Sequence, residues 1–429
     1  MATREQHGPV VSWLIGLVGR EQWAAVLFAL RINIFSLALL GFWTPLNNLI
    51  LPDQVSQLVP DSLKGSALGV ITFLGIGIAT VVQPIAGRID DRLALPHRRK
   101  TFIAGGAAAG LLGVLLFSLA PSFLWLLVAY IVMQLAVNVA QAAFQALIPD
   151  LVKPRDRGLA SGIKDGLGVV GAALGVVGVG LLVNLLWGKY LALAYLALLL
   201  GGLAYLNLRW VPDVPPPPDD ERIHSLRDIQ LGAMFRSFGA AFKTNRVFRL
   251  AVIARFFFLL GLYPVERLFL YYLQNRFNIT SLSQVSLFLV AAIVLAALSA
   301  WVAGALSDRL GRTPVLRIMA VLGTIGVAGV AFSPWLWLVG IFGACVASAF
   351  GGFQSVNWAQ MADVIPEGRS AEYYGLSNIA TAGSGAVAGL FGPLADFLNA
   401  LLPGGTYFIT FGLAALIALS SLIPLRRLP

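Results

Sequence analysis

Along this chain, short polar and glycine- or proline-bearing breaks separate long apolar runs. A spanning helix needs about 20 mostly apolar residues. Twelve runs reach that length, at 24–51, 64–87, 101–120, 122–147, 159–186, 189–211, 248–274, 283–306, 314–333, 335–361, 374–399 and 405–425. They predict an all-α membrane protein. Residues 9–19, PVVSWLIGLVG, are too short to span and are expected to lie along the interface. Glycine ladders such as GLGVVGAALGVVGVG after Asp165 and GSGAVAGLFG after Ala382 would weaken helices in water. In lipid they let helix backbones approach closely, which is how membrane bundles pack.

The pattern occurs twice. Gly304-Ala-Leu-Ser-Asp308-Arg309 joins two long runs, and Gly87-Arg-Ile-Asp90-Asp91-Arg92 does the same near the start, offset by 217 residues (308 − 91). A second pair follows: PDLVKPRDRGLASG from Pro149 matches ADVIPEGRSAEYYG from Ala362, with Asp150 and Asp363 offset by 213 (363 − 150). Such self-similarity takes priority over local readings. The chain therefore divides into an N-terminal segment (1–22), one six-helix bundle (23–211), a linker (212–247) and a second bundle (248–429). In the linker, PDVPPPPDDE is a stiff tether. After it, Leu231, Met234, Phe235, Phe238 and Phe242 fall on one helical stripe, with Arg227, Arg236 and Lys243 as its basic side. That pattern fits an interfacial helix.

Composition agrees. The chain is 58% hydrophobic and 12% charged, with mean hydropathy +0.82, whereas soluble chains are about a quarter charged. The net charge of +10 does not point to nucleic acid, because the cations sit in short loops. Placing both termini in the cytoplasm puts 88–100, 152–158, 212–247, 307–313 and 362–373 inside. Of 30 lysines and arginines, only Lys64, Lys189 and Arg276 then fall outside, while Arg31, Lys164, Arg255 and Arg267 lie within runs. This is the positive-inside pattern. It predicts a multi-pass protein of the plasma membrane (the inner membrane of a bacterium), acting as a monomer with the lipid bilayer and a small-molecule substrate as partners. The N-terminus lacks the small-residue cleavage site of a signal peptide. Cys345 lies within an apolar run as a small packing residue, and one cysteine gives no disulfide or cysteine metal site.

Two six-span halves, a long linker and a Gly-x-x-x-Asp-Arg loop after the second span of each half resemble the major facilitator superfamily, over essentially the whole chain. The resemblance implies two bundles that rock around a midplane site. It also implies that Asp91 and Asp308, following Gly87 and Gly304, dock against the starts of helices in the opposite half, spans eleven and five. With Arg92, Arg157 and Arg309 completing a charge network, these docks would latch the inner gate in the outward-open state. The rival reading is a pair of solvated topology loops. GALSDRLGR fits the superfamily signature closely, while DDRLALPHRRK lacks the Gly-Arg after its Asp-Arg pair. The longer loop, together with ALIPDLVKPRDRGLASG and FKTNRVFRL, looks like the glycoside–pentoside–hexuronide:cation symporters and the sucrose-transporter-like group. Span two lacks the membrane carboxylates of the melibiose-type carriers.

Polar residues inside spans are functional candidates by default, because charge is costly there. Gln134, Asn138, Gln141 and Gln145 are spaced 4, 3 and 4, on one helical face. In span ten Gln354 aligns with Gln141, and Asn357 lies one turn on. Amides donate and accept, which suits a polyhydroxylated solute bound between repeats, although they also bridge helices. Two charged pairs remain, Lys164-Asp165 and Glu266-Arg267. Neighbours on a helix point about 100° apart, so each member is expected to need a partner on another helix. His7, His97 and His224 all lie outside the spans. A proton site therefore falls to Asp165 or Glu266, with Lys164 and Arg267 beside them, and structural ion pairing is the rival reading. Arg31 and Arg255 are expected to snorkel to the interface. Trp43 and Trp358 lie beside polar positions and could stack on a sugar ring.

Enzymatic readings lack their parts. There is no Walker A phosphate loop, no His-Glu-x-x-His zinc motif and no Gly-x-Ser-x-Gly elbow. The expectation is a secondary transporter without cofactor or metal, not an enzyme. It would move a small polar organic solute such as a sugar or glycoside, driven by protons, with sodium as the alternative ion. The competing readings are an efflux carrier for amphipathic or drug-like compounds and a transport-incompetent sensor on the same fold.

Overall fold

The computed structural model describes residues 20–93, 95, 97–214, 242–364, 370–402 and 406–428. Among them are 12 helices long and apolar enough to cross a membrane: α1 (Gln22–Leu58), α2 (Asp61–Arg92), α3 (Arg98–Ser118), α4 (Phe123–Leu151), α5 (Pro154–Leu182), α6 (Gly188–Trp210), α7 (Arg246–Phe277), α8 (Leu282–Leu310), α9 (Arg312–Phe332), α10 (Leu336–Ala362), α11 (Leu376–Leu401) and α12 (Thr406–Arg426). The interfacial segment 9–19 and the amphipathic stripe up to residue 241 lie outside the described residues.

Proline sets the main departures from regular helix. Pro45 has no N–H to donate and breaks the i→i−4 ladder, and α1 widens into a π-helical turn over Leu46–Ile50 before continuing to Leu58. The run expected to stop at residue 51 is therefore longer and has a bulge in its middle. α11 is interrupted between Ala388 and Phe391. The loop between α8 and α9 is one residue, Gly311, at φ +89°. Glycine takes that conformation without strain, and this tight turn brings Arg312 within four residues of Asp308.

Small residues fix the packing inside each half. α1 lies on α5, where a Cβ on Gly171 or Gly175 would overlap the carbonyls of Leu37 and Gly41. α8 lies on α10 in the same way, with Gly351 against the Ala296 carbonyl. Asn33 donates to the Ala160 carbonyl at 3.1 Å and Ser36 to that of Lys164 at 2.7 Å, pinning α1 to α5. At its start, the linker is tied back to the α2–α3 loop: Asp213 meets Lys100 at 2.7 Å and His97 at 2.9 Å. The Lys100 ammonium, then His97, holds the Asp213 carboxyl below the usual carboxylate range. A depressed carboxylate keeps its tie at neutral pH and loses it as pH falls through that lowered value.

The two halves meet at one end. We call the side carrying the Asp-Arg loops the motif end and the opposite side the far end. Among the described residues, every hydrogen bond between halves lies from mid-depth to the far end. Asp396 of α11 accepts from the backbone N–H groups of Gly65 (3.1 Å) and Ser66 (2.5 Å) at the start of α2. Lys64 donates to Asn275 at 3.1 Å, which donates to Tyr407 at 3.0 Å. The Tyr271 hydroxyl reaches the Pro52 carbonyl at 2.8 Å, Asn184 donates to Ser283, and Ser283 donates to the Gly180 carbonyl at 2.7 Å. Beneath these bonds the α2 and α11 backbones touch: a Cβ on Gly392 would overlap the Gly65 carbonyl, and one on Gly69 would overlap that of Gly389. The helices remain in contact as far as Gly385, where a Cβ would meet Ile76 at 3.6 Å, whereas a Cβ on Gly77, the residue after Ile76, would meet nothing within 4 Å.

Substituting Gly392→Ala places a methyl group against backbone that cannot move aside within the seam. The expected result is separation of α2 from α11 at the far end by about 1–2 Å or more, the relief an overlapping methyl needs. Spin labels on cysteines at Asp61 and Leu402, in a Cys345→Ser background, would report a longer distance component. An unchanged distribution would show that the glycine contact does not hold the seam.

Candidate functional site

At the motif end each half builds the same ion cluster. Arg99, in the first turn of α3, pairs with Asp90, with Asp91 at 2.6 Å and with Asp150 at 2.8 Å. Its side chain is only 4% exposed. Arg312, in the first turn of α9, pairs with Asp308 at 2.5 Å and Asp363 at 3.2 Å and donates to Ser307 at 2.7 Å. Arg99 and Arg312 are offset by the 213 residues that relate Asp150 to Asp363 (312 − 99), so the duplication carries a whole Asp–Arg–Asp triad. The network expected of Arg92, Arg157 and Arg309 belongs to the outward-open state; in the state seen here the partners of Asp91 and Asp308 are Arg99 and Arg312. An arginine directly after an aspartate points about 100° away from it around the helix, whereas Arg312 stands one turn on from Asp308. Arg157 instead donates to the Val152 (3.2 Å) and Pro149 (2.9 Å) carbonyls, stapling the α4–α5 loop. No ion pair involves Arg92 or Arg309 among the described residues. A Cβ on Gly87 would make an ordinary contact with Ala142 at 3.9 Å, whereas one on Gly304 would crowd the Ser355 hydroxyl at 3.3 Å. In this state Asp91 and Asp308 are held within their own halves.

At mid-depth the polar residues form a network across α1, α4 and α7. The π-helical turn of α1 presents Asn47 and Asn48, which the periodicity did not single out. The Tyr130 hydroxyl donates to Asn47 at 2.9 Å and accepts from Gln134 at 2.8 Å, and Asn138 donates to the Gln134 side chain at 3.0 Å. Gln134 and Asn138 are 5% and 7% exposed, so much of the amide ladder is engaged with itself. Gln141 is half-buried on the same helix. Trp43 packs edge-on to Tyr130 at 6.2 Å. From the other half, Glu266 accepts from Asn48 at 3.2 Å. Arg267 lies within electrostatic reach of Tyr130 and Tyr263. Its Nε and Nη1 are buried without a hydrogen-bond partner, as are Gln354 Oε1 and Asn48 Oδ1. The mid-depth region thus holds unsatisfied donors and acceptors from both halves. Buried polar groups are normally paired.

Two further expectations change. Lys164 and Asp165 do bridge each other, at 3.6 Å. Asp165 is 75% exposed, and the flanking Gly162 and Gly166 would meet nothing within 4 Å. Arg255 does not snorkel. It is 1% exposed, its Nε donating to Thr381 at 2.7 Å and its Nη1 to Asn357 at 3.2 Å, with the guanidinium 4.6 Å over the Trp358 ring. Asn357 and Trp358 are therefore partners of a buried cation. Arg31, on α1, is exposed. No cluster of metal-ligating residues occurs among the described residues.

Residues 72–390 match the sequence profile of the Major Facilitator Superfamily. An uncharacterized MFS-type transporter of Bacillus subtilis, YxiO, is 24% identical over 380 residues, covering 86% of this chain and 85% of that protein. The class C tetracycline resistance protein of Escherichia coli is 41% identical over 92 residues, 21% of this chain and 23% of that one. Among solved structures, a bacterial homologue of the human lysosomal transporter Spinster, inward-facing and unoccupied, superimposes with a TM-score of 0.67 at 15% identity, covering 95% of both chains. With twelve spanning helices, duplicated Asp–Arg loops and this match over most of its length, the chain belongs to the major facilitator superfamily.

Proposed function

We propose that this protein is a secondary active transporter that moves a small polar organic solute by alternating access, coupled to protons. One observation carries the reading: among the described residues, the hydrogen bonds between the halves run from mid-depth (Asn48 to Glu266) to the far end, while the motif-end carboxylates are paired inside their own halves. That is one end state of a two-state rocker. With the cation-rich loops in the cytoplasm, it is the inward-open state of a plasma-membrane carrier with both termini inside.

The outward-open state then needs a bond at the motif end. Asp91 and Asp308 would leave their arginines and dock on the starts of α11 and α5, where unpaired N–H groups favour a carboxylate. Substituting Asp91→Asn and Asp308→Asn removes both docks. The inward-open state loses little, because Arg99 keeps Asp90 and Asp150 and Arg312 keeps Asp363 and Ser307. At about 1 kcal/mol per dock, the double variant should raise the ratio of inward-open to outward-open molecules about thirtyfold over wild type. Transport should slow, and inner-face cysteines should label faster. Unchanged transport and labelling would sink the latch.

Coupling falls to Asp165, at an open position on α5, or to Glu266, which ties α7 to α1 through Asn48. Asp165→Asn or Glu266→Gln should abolish pH-driven accumulation in proteoliposomes while leaving exchange of solute. If both variants still accumulate solute down a proton gradient, neither residue carries the proton, and a sodium gradient becomes the driving force to assay.

For the solute, the sequence resemblance favours a sugar or glycoside. A second reading, efflux of amphipathic compounds, is supported by aromatic side chains around the mid-depth network (Trp43, Tyr130, Tyr263 and Phe350) and by the stretch similar to the tetracycline resistance protein. Labelled sugar uptake in proteoliposomes, set against drug-resistance profiles of a deletion strain, separates them.

A further inference from the structure

We infer that Arg255 anchors an anion-binding subsite, so that the transported solute carries a carboxylate or phosphate group. The inference rests on the transporter reading above and narrows its substrate class.

Arg255 is the most conspicuous buried charge among the described residues. At 1% exposure it has left water, yet no carboxylate among them pairs with it. Its surroundings are neutral dipoles and one aromatic face: Thr381, Asn357 and Trp358. The acid on its own helix, Glu266, lies three turns toward the far end and is bonded to Asn48. Burying a cation without a counter-charge is costly, and intramembrane charges of this kind mark substrate or ion pathways.

The guanidinium is also held in place before any ligand arrives. Asn357 donates its amide to the Ala251 carbonyl at 3.3 Å, which turns its oxygen toward Arg255. Thr381 donates to the Ser377 carbonyl at 3.1 Å, leaving its hydroxyl oxygen to accept from Nε. A guanidinium has five N–H donors, and these two bonds use two of them. Nη2 donates to no described residue. The Trp358 ring covers one flat face of the group, so a ligand would meet it edge-on, in the fork geometry that matches carboxylate or phosphate. One turn from Thr381 on the same face of α11, the Ser377 hydroxyl is buried without a partner. It offers a further donor to a second anionic oxygen.

The test is the melting temperature of the purified full-length protein against matched solute pairs at constant ionic strength: glucose and glucuronate, glycerol and glycerol phosphate, lactamide and lactate. The proposal predicts that at least one anionic member stabilises the protein at millimolar concentration while its neutral partner does not. Arg255→Gln should abolish that shift, and Arg255→Lys should keep part of it. Asn357→Ala, which leaves the cation in place but frees it to turn, should weaken the apparent affinity about tenfold, the loss of one charge-assisted hydrogen bond. This variant keeps the test decisive if Arg255→Gln does not fold. No response to any anion, stabilisation by neutral members alone, or an undiminished anion response in Arg255→Gln and Asn357→Ala would overturn it. Counterflow measured in parallel separates this subsite from the transporter reading. Neutral-solute counterflow without an anion response ends the subsite and leaves the transporter. An anion response without any counterflow does the reverse.

Discussion

The contact on which this state depends is the carboxylate of Asp396 against the first N–H groups of α2. A helix start leaves its first N–H groups unpaired, and here the acceptor comes from the opposite half of the molecule. The bond is short because nothing stands between the backbones: Gly65, Gly69, Gly389 and Gly392 let α2 and α11 touch. Lys64, Asn275, Tyr407 and Tyr271 close the surrounding far end. A carboxylate on a helix terminus of the other half is the same device proposed for Asp91 and Asp308 at the motif end. Switching between states then exchanges one set of carboxylate–terminus bonds for another, with little net change in bond count, as a reversible carrier needs.

The duplicated triads give the motif end its reserve. Each half keeps an arginine, Arg99 or Arg312, with more than one acidic partner, so releasing a single aspartate does not strand a buried cation. The two halves are not equal. Arg99 is 4% exposed and has three carboxylates, whereas Arg312 is 27% exposed and has two. The longer α2–α3 loop and the one-residue α8–α9 turn at Gly311 reflect that difference.

Much of this architecture is legible in the sequence because the bilayer imposes a simple rule on it. Run length predicts the spans, and the repeat predicts the halves. The offset of 213 that relates Asp150 to Asp363 relates Arg99 to Arg312 as well, so the triads are encoded in the repeat. What the sequence hid depends on contacts between helices. Snorkelling of Arg255 was expected from its depth alone, but α10 and α11 enclose it with Asn357, Thr381 and Trp358. Asn47 and Asn48 are hidden in the sequence because a regular helix would not present both, whereas the π-helical turn after Pro45 does so. The link between Lys164 and Asp165 depends on how the lysine stem bends, which helical spacing does not fix. The resemblance to sugar–cation symporters rests on loop residues, which lie away from the mid-depth groups that would touch a solute.

The central claim is that the two ends open in alternation. Two distances measured in the same lipid-embedded preparation test it directly: a far-end pair at Asp61 and Leu402 and a motif-end pair at His97 and Leu310, each labelled in a Cys345→Ser background. The account predicts that conditions shifting one pair to longer distances shift the other to shorter ones, with no population open or closed at both ends as the major state. If the two distances vary independently, or if the motif end stays wide while the far end opens, the protein is not a rocker-type carrier.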